Sequence, residues 1–91
     1  MHDQKIVFMG TPEIASIYLN SLIRLKYNII ATYTQPPKKK GRGMKIEESA
    51  VHRLASSNNI PVFSPSNFFD DNEKHNLEKL KPDLIIVMAY G

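Results

Sequence analysis

The sequence predicts an open α/β sheet with strands and helices alternating as βαβαβαβ, and three observations carry that expectation. Short runs rich in β-branched and apolar residues recur at 4–9, 28–34, 60–63 and 83–89. Between them, apolar residues return every three or four positions, the spacing of one helix face. The last run, Asp83 to Ala89 (DLIIVMA), is apolar almost without a break, which suits a parallel strand covered on both faces. Right-handed crossovers then place helices on both sides of the sheet, with the first strand central.

Gln4 to Met9 (QKIVFM) is the first strand, and it ends at Gly10-Thr11-Pro12-Glu13. Thr11 is a good N-cap, Pro12 suits the first helical position, and Glu13 favours the positive end of the helix dipole. Ile14, Tyr18, Leu22 and Leu25, with Ile17 beside them, form the helical stripe. Asn28 to Thr34 (NIIATYT) is the second strand, stopped by Pro36-Pro37 because proline cannot donate to a ladder. Gln35 to Lys45 has no apolar periodicity and is expected to be an exposed loop. A second helical stripe follows in Ile46, Ala50, Val51 and Leu54, closed by Asn58-Asn59. Ile60 to Phe63 contains Pro61 and is expected at a sheet edge. Asp70, Asp71 and Asn72 are candidate caps for a short helix carrying Leu77 and Leu80, with Asp70 and Glu73 at capping-box spacing.

Ninety-one residues suit one small domain or a portion of a larger one. The 42% hydrophobic and 23% charged content is that of an ordinary globular chain. No apolar run nears the ~20 residues of a membrane span, and residues 1–5 lack a signal-peptide pattern. There are no cysteines, which excludes disulfides and thiolate metal sites and is compatible with a reduced cytoplasmic compartment. The net charge of +3 conceals a concentration: Lys38, Lys39, Lys40, Arg42 and Lys45 hold five of the twelve basic side chains within eight positions. Such a patch attracts a polyanion even at modest net charge.

Ligands of open α/β sheets bind beyond the carboxyl ends of the strands. Gly10-Thr11-Pro12, the 35–45 segment and Met88-Ala89-Tyr90-Gly91 therefore share one rim. The first turn has a single glycine, and Pro12 removes a backbone donor, so a conventional dinucleotide site is rejected. Gly41-x-Gly43 has no following lysine-serine or lysine-threonine pair and is no P-loop. His2, His52 and His75 stand without a partner at metal-ligand spacing, and Asp70-Asp71 reads as capping. From the residues alone, the chain offers a binding rim without a catalytic constellation.

Taken together, KIVFMGTPEIA (5–15), ATYTQP (31–36), GRG (41–43), IPVFSP (60–65) and KPDLIIVMAYG (81–91) resemble the methionyl-tRNA formyltransferase family. The motifs follow that family's order and spacing across nearly the whole chain. The TQP and GRG pair argues against sugar-nucleotide formyltransferases and formyltetrahydrofolate dehydrogenase, which share the general fold.

The resemblance implies an open Rossmann-like parallel sheet and transfer of a formyl group from 10-formyltetrahydrofolate to the amino group of methionyl initiator tRNA, without a metal. It assigns the acceptor end of the tRNA to Lys38, Lys39, Lys40, Arg42 and Lys45. Lys38 stands where the family usually has arginine, and so loses bidentate geometry. The resemblance further assigns Gly10, Thr11, Pro12 and Ile14 to the aminoacyl end, Ile14 standing where phenylalanine is common. Met88, Ala89, Tyr90 and Gly91 would begin the folate wall. The family's Asn-x-His pair and its aspartate, which polarise the formyl group and stabilise the oxyanion-like transition state, fall after position 91, as does the C-terminal tRNA-binding domain.

Residues 1–91 are accordingly expected to form part of the N-terminal formyltransferase domain, of a bacterial, cytoplasmic type. They are expected to transfer no formyl group alone, and a single-turnover assay that yielded formyl-methionyl-tRNA would contradict this. A weakly RNA-binding fragment, a remnant and another formyltransferase of the same fold are the alternatives. The full-length family member is expected to be monomeric. The isolated piece, with its apolar last strand at an edge, is expected to self-associate or to need a complementary chain.

Overall fold

In the computed structural model, residues 3–40, 43, 45–67 and 70–91 are described, without the side chains of Lys39 and Lys40. The elements run β1 (Ile6–Gly10), α1 (Glu13–Arg24), β2 (Ile29–Tyr33), β3 (Lys38–Lys40), β4 (Lys45–Glu47), α2 (Ala50–Ser57), β5 (Val62–Phe63), α3 (Asp71–Leu80) and β6 (Leu84–Met88). The main sheet has the order β5-β2-β1-β6, with every pairing parallel. This is the expected open α/β sheet, with an inserted hairpin between β2 and α2.

β1 lies between β2 and β6, and all five of its residues are buried. Its alternation separates two cores. Phe8 packs with Ala15, Leu19, Val51 and Ala55, under α1 and α2. Val7 and Met9 pack with Ala31 and Tyr33 on the opposite face, joined by Leu77 and Leu80 of α3. A one-residue slip of β1 would exchange the two sets, so its register is strongly specified. The register is pinned at the strand's start, where Lys5 N–H donates to Asp83 Oδ2 at 2.7 Å and Lys5 C=O accepts from Asp83 N–H at 2.7 Å.

Helix ends are closed with few glycines. Past α1, Lys26 N–H bonds Ile23 C=O and Tyr27 N–H bonds Leu22 C=O, with Lys26 left-handed at φ 69°. Past α2, Asn59 N–H bonds Ser56 C=O and Ile60 N–H bonds Ala55 C=O, with Asn59 at φ 58°. Both are Schellman closures, in which glycine is the usual left-handed residue. Asp70 caps α3 as expected, accepting from Asn72 N–H at 2.8 Å.

Four expectations need correction. Residues 38–40 and 45–47 form an antiparallel hairpin, not a loop, pairing Lys38 with Glu47, Lys39 with Ile46 and Lys40 with Lys45. Ile46 therefore belongs to a strand and is exposed; α2 begins only at Ala50, where the Ser49 hydroxyl accepts from His52 N–H at 3.0 Å. On α1 the buried positions are Ala15 and Leu19, whereas Ile14, Ile17, Tyr18 and Leu25 are exposed. The helix comes too close to the sheet for a larger residue at 15. β6 pairs with β1 alone among the described residues, and its Leu84, Ile85 and Val87 are exposed instead of covered.

Candidate functional site

The parallel strands end together, and β1 and β6 meet most closely. Gly10 pairs with Met88. A Cβ at position 10 would lie 2.7 Å from the Met88 carbonyl oxygen, 2.8 Å from Ala15 Cβ and 2.9 Å from Phe8 Cε2. Only a residue without a side chain fits, and its absence lets α1 start directly against the sheet.

Thr11 is not the cap of α1. Pro12 takes that position, with no side-chain cap bond, and its carbonyl accepts from Ala15 N–H at 3.0 Å and Ser16 N–H at 3.2 Å. The Thr11 hydroxyl instead donates to Tyr90 C=O at 2.6 Å and accepts from Gln35 N–H at 3.2 Å. One side chain thus joins the ends of β1, β2 and β6. Nearby, the Thr34 hydroxyl lies 2.6 Å from Ser49 Oγ, which ties the end of β2 to the start of α2.

Two clefts open on this rim. The first, about 380 Å³, is lined by Thr11, Pro12, Gln35, Lys38, Ser49 and Arg53, with the carboxylates of Glu13, Glu47 and Glu48. Arg53 is held there, its Nη1 donating to Glu48 C=O at 2.6 Å and lying 3.8 Å from Glu47 Oε1. Charges of both signs therefore line this cleft. The second cleft, about 310 Å³, is lined by Met9, Gln35, Pro65, Ser66, Asn67, Tyr90 and Gly91. Gln35 borders both. Gly91, at φ 114°, packs against the Gln35 side chain, where a Cβ would come within 3.1 Å of Cγ.

Beneath the second cleft Tyr33 stacks on Phe63, with ring centroids 5.1 Å apart. Burial pushes the Tyr33 phenol above its ordinary pKa of 10.0, and the charges of Glu73 and Tyr90 add to the effect. Burial, then Glu73, raises Tyr90 in the same direction. Both phenols are neutral at physiological pH.

The basic cluster falls on the hairpin. Lys38, Lys39 and Lys40 are in β3 and Lys45 is in β4, with Lys38 also lining the first cleft; Arg42 lies outside the described residues. Of the four residues expected at the aminoacyl end, Thr11 and Pro12 line that cleft, Gly10 is buried beneath it, and Ile14 lines neither cleft. Tyr90 and Gly91 line the second cleft. Met88 instead packs towards the Phe8 core, and Ala89 is left-handed at φ 50° and lines neither.

Sequence reasoning missed Gln35, Ser49 and Arg53 as lining residues, although TQP was among the quoted motifs. It also passed over the four-residue spacing of Glu48 and His52, which places His52 Nε2 3.3 Å from Glu48 Oε2. Among the described residues, no three His, Asp or Glu side chains are grouped to hold a metal. No described helix is long and apolar enough to cross a membrane.

Comparison with known proteins bears directly on this rim. The chain is 47% identical over 87 residues to the methionyl-tRNA formyltransferase of Pseudomonas putida strain W619, and equally to that of Alkaliphilus oremlandii strain OhILAs. Each alignment covers 96% of this chain and 28% of the relative, so the chain spans little more than a quarter of their length. The sequence pattern of the formyl transferase family matches residues 4–91, which include β1, the hairpin, both clefts and β6. The chain belongs to the formyl transferase family.

Proposed function

We propose that these residues form the substrate-gathering rim of a methionyl-tRNA formyltransferase of cytoplasmic, bacterial type. In that reaction, the amino group of methionyl initiator tRNA attacks the formyl carbon of 10-formyltetrahydrofolate, and the tetrahydrofolate nitrogen leaves. The β3–β4 hairpin, with Lys38, Lys39, Lys40, Arg42 and Lys45, meets the acceptor end of the tRNA. The first cleft, at Thr11 and Pro12, receives the aminoacyl end. Tyr90 and Gly91 begin the folate wall at the second cleft.

The observation that carries the reading is the position of the hairpin: Lys38 belongs both to β3 and to the first cleft. A phosphate chain on the hairpin would therefore deliver its terminus to the rim. Phosphate contacts of this kind set position and carry no base sequence. Among the described lining residues no nucleophile is paired with a base, so the role given to these residues is binding and positioning, not proton transfer.

The test is titration of the chain with initiator methionyl-tRNA and with an elongator tRNA at several salt concentrations. The slope of log affinity against log salt should approach about −4 if all five basic side chains meet phosphates, with the initiator preferred. Equal affinity for any RNA would reduce the hairpin to a nonspecific polyanion binder. No binding of either tRNA would overturn the reading.

A further inference from the structure

The two clefts are separated by a thin partition. Its first-cleft side is Thr11, its second-cleft side is Tyr90 and Gly91, and Gln35 borders both. Two bonds across it run through the Thr11 hydroxyl, which donates to Tyr90 C=O at 2.6 Å and accepts from Gln35 N–H at 3.2 Å. A hydroxyl is the smallest side-chain group that can donate and accept at once. Serine would keep both bonds, and valine, of nearly the same shape, would keep neither.

We propose that Thr11 is a positioning residue that couples the hairpin to the end of β6, fixing the distance between the two clefts. The connection to the hairpin is stiff. Only Pro36-Pro37 separates Gln35 from Lys38 at the start of β3, and each proline locks φ near −65°. A displacement of Gln35 therefore has few backbone rotations in which to be absorbed before the hairpin begins. On the other side, Tyr90 packs against the Val7–Tyr33 core and Gly91 against Gln35. Gly91 cannot move away without opening the contact with Gln35. The inference rests on the proposed reading for the identity of the two ligands, whereas the coupling itself concerns the chain without ligand.

Nuclear magnetic resonance on the ligand-free chain tests the coupling. In the unsubstituted protein the Thr11 hydroxyl proton should exchange slowly and show a cross-peak to the Gln35 amide; its absence would overturn the proposal, whatever the variants do. Thr11→Val should speed exchange of the Gln35 amide by roughly 3- to 10-fold and move the Gly91 and Lys38 amide signals together, leaving Ala55 in α2 unmoved. Thr11→Ser should restore the original values. A shift at Gln35 with none at Gly91 or Lys38, or a serine variant that behaves like valine, would also overturn it.

Titration of the same three proteins with initiator tRNA separates the two ideas. If tRNA fails to bind while the ligand-free signals behave as described, the functional reading falls and the coupling stands.

Discussion

Lys26 occupies the left-handed position that closes α1, at φ 69°. A side chain there costs roughly 1–2 kcal/mol against a right-handed conformation, and glycine removes that cost while adding some entropy to the unfolded chain. Lys26→Gly should therefore stabilise the protein by about 0.5–1 kcal/mol, measured as a higher urea midpoint at unchanged slope. The two buried phenols act on stability from the alkaline side. Tyr33 and Tyr90 are raised in the folded state, so the unfolded chain releases their protons first. Their contribution is complete below about pH 10, the unfolded value, and is lost as pH rises through the folded values. Unfolding by urea at pH 9 and pH 11 should show the decline, and Tyr33→Phe should make it shallower. At this scale the sequence was uneven to read. Gly10 and Asp70 declared themselves through turn and cap chemistry. Lys26 did not, because its left-handed backbone goes with the two backbone bonds that close α1 rather than with its residue type. Thr11 misled for a related reason: a good capping hydroxyl was claimed by strand ends distant in sequence.

The hairpin is the element least visible in advance. Its strands have three residues each, with five charged residues among the six, so alternation gives no signal. What forms it is backbone pairing beyond Pro36-Pro37, in a register that sets position 40 opposite position 45, both lysine in the sequence. Like charges directly opposite destabilise a ladder, and a bound polyanion would relieve the conflict. Lys45→Glu should raise the order of the hairpin amides by a few tenths of a kcal/mol while weakening RNA binding several-fold. Exchange rates and tRNA titration check the two halves of this expectation. α1 was placed correctly but rotated, because size-based reading selects Ile14 and Tyr18, while the close approach at Gly10 admits only Ala15. The apolar face left outward, with Ile17 and Leu25, is more than half exposed.

For the whole molecule, alternation and the continuous 83–89 run were enough to give the sheet and its central strand. The position of the clefts was legible only as a shared rim, since cleft walls depend on contacts between residues far apart in sequence. β6 carries Leu84, Ile85 and Val87 outward, with Val87 at 62% exposure. An apolar strand at a sheet edge is a template for pairing with another chain. The average mass in sedimentation velocity should therefore rise with concentration, and Val87→Lys should suppress the rise. A monomer at every concentration would mean that this edge is protected in solution.

The bond between Lys5 and Asp83 spans 78 positions, and this has a consequence in time. During synthesis β1 is made well before β6, one of its two neighbours, with α1, β2, the hairpin, α2, β5 and α3 between them. Contacts of such long separation carry a loop-closure cost that local pairings do not. Val7 and Met9 can therefore be enclosed only after Leu77, Leu80 and Tyr90 have followed. Until then that face of the β1–β2 pair is open, and a chaperone that holds it should raise the folded yield.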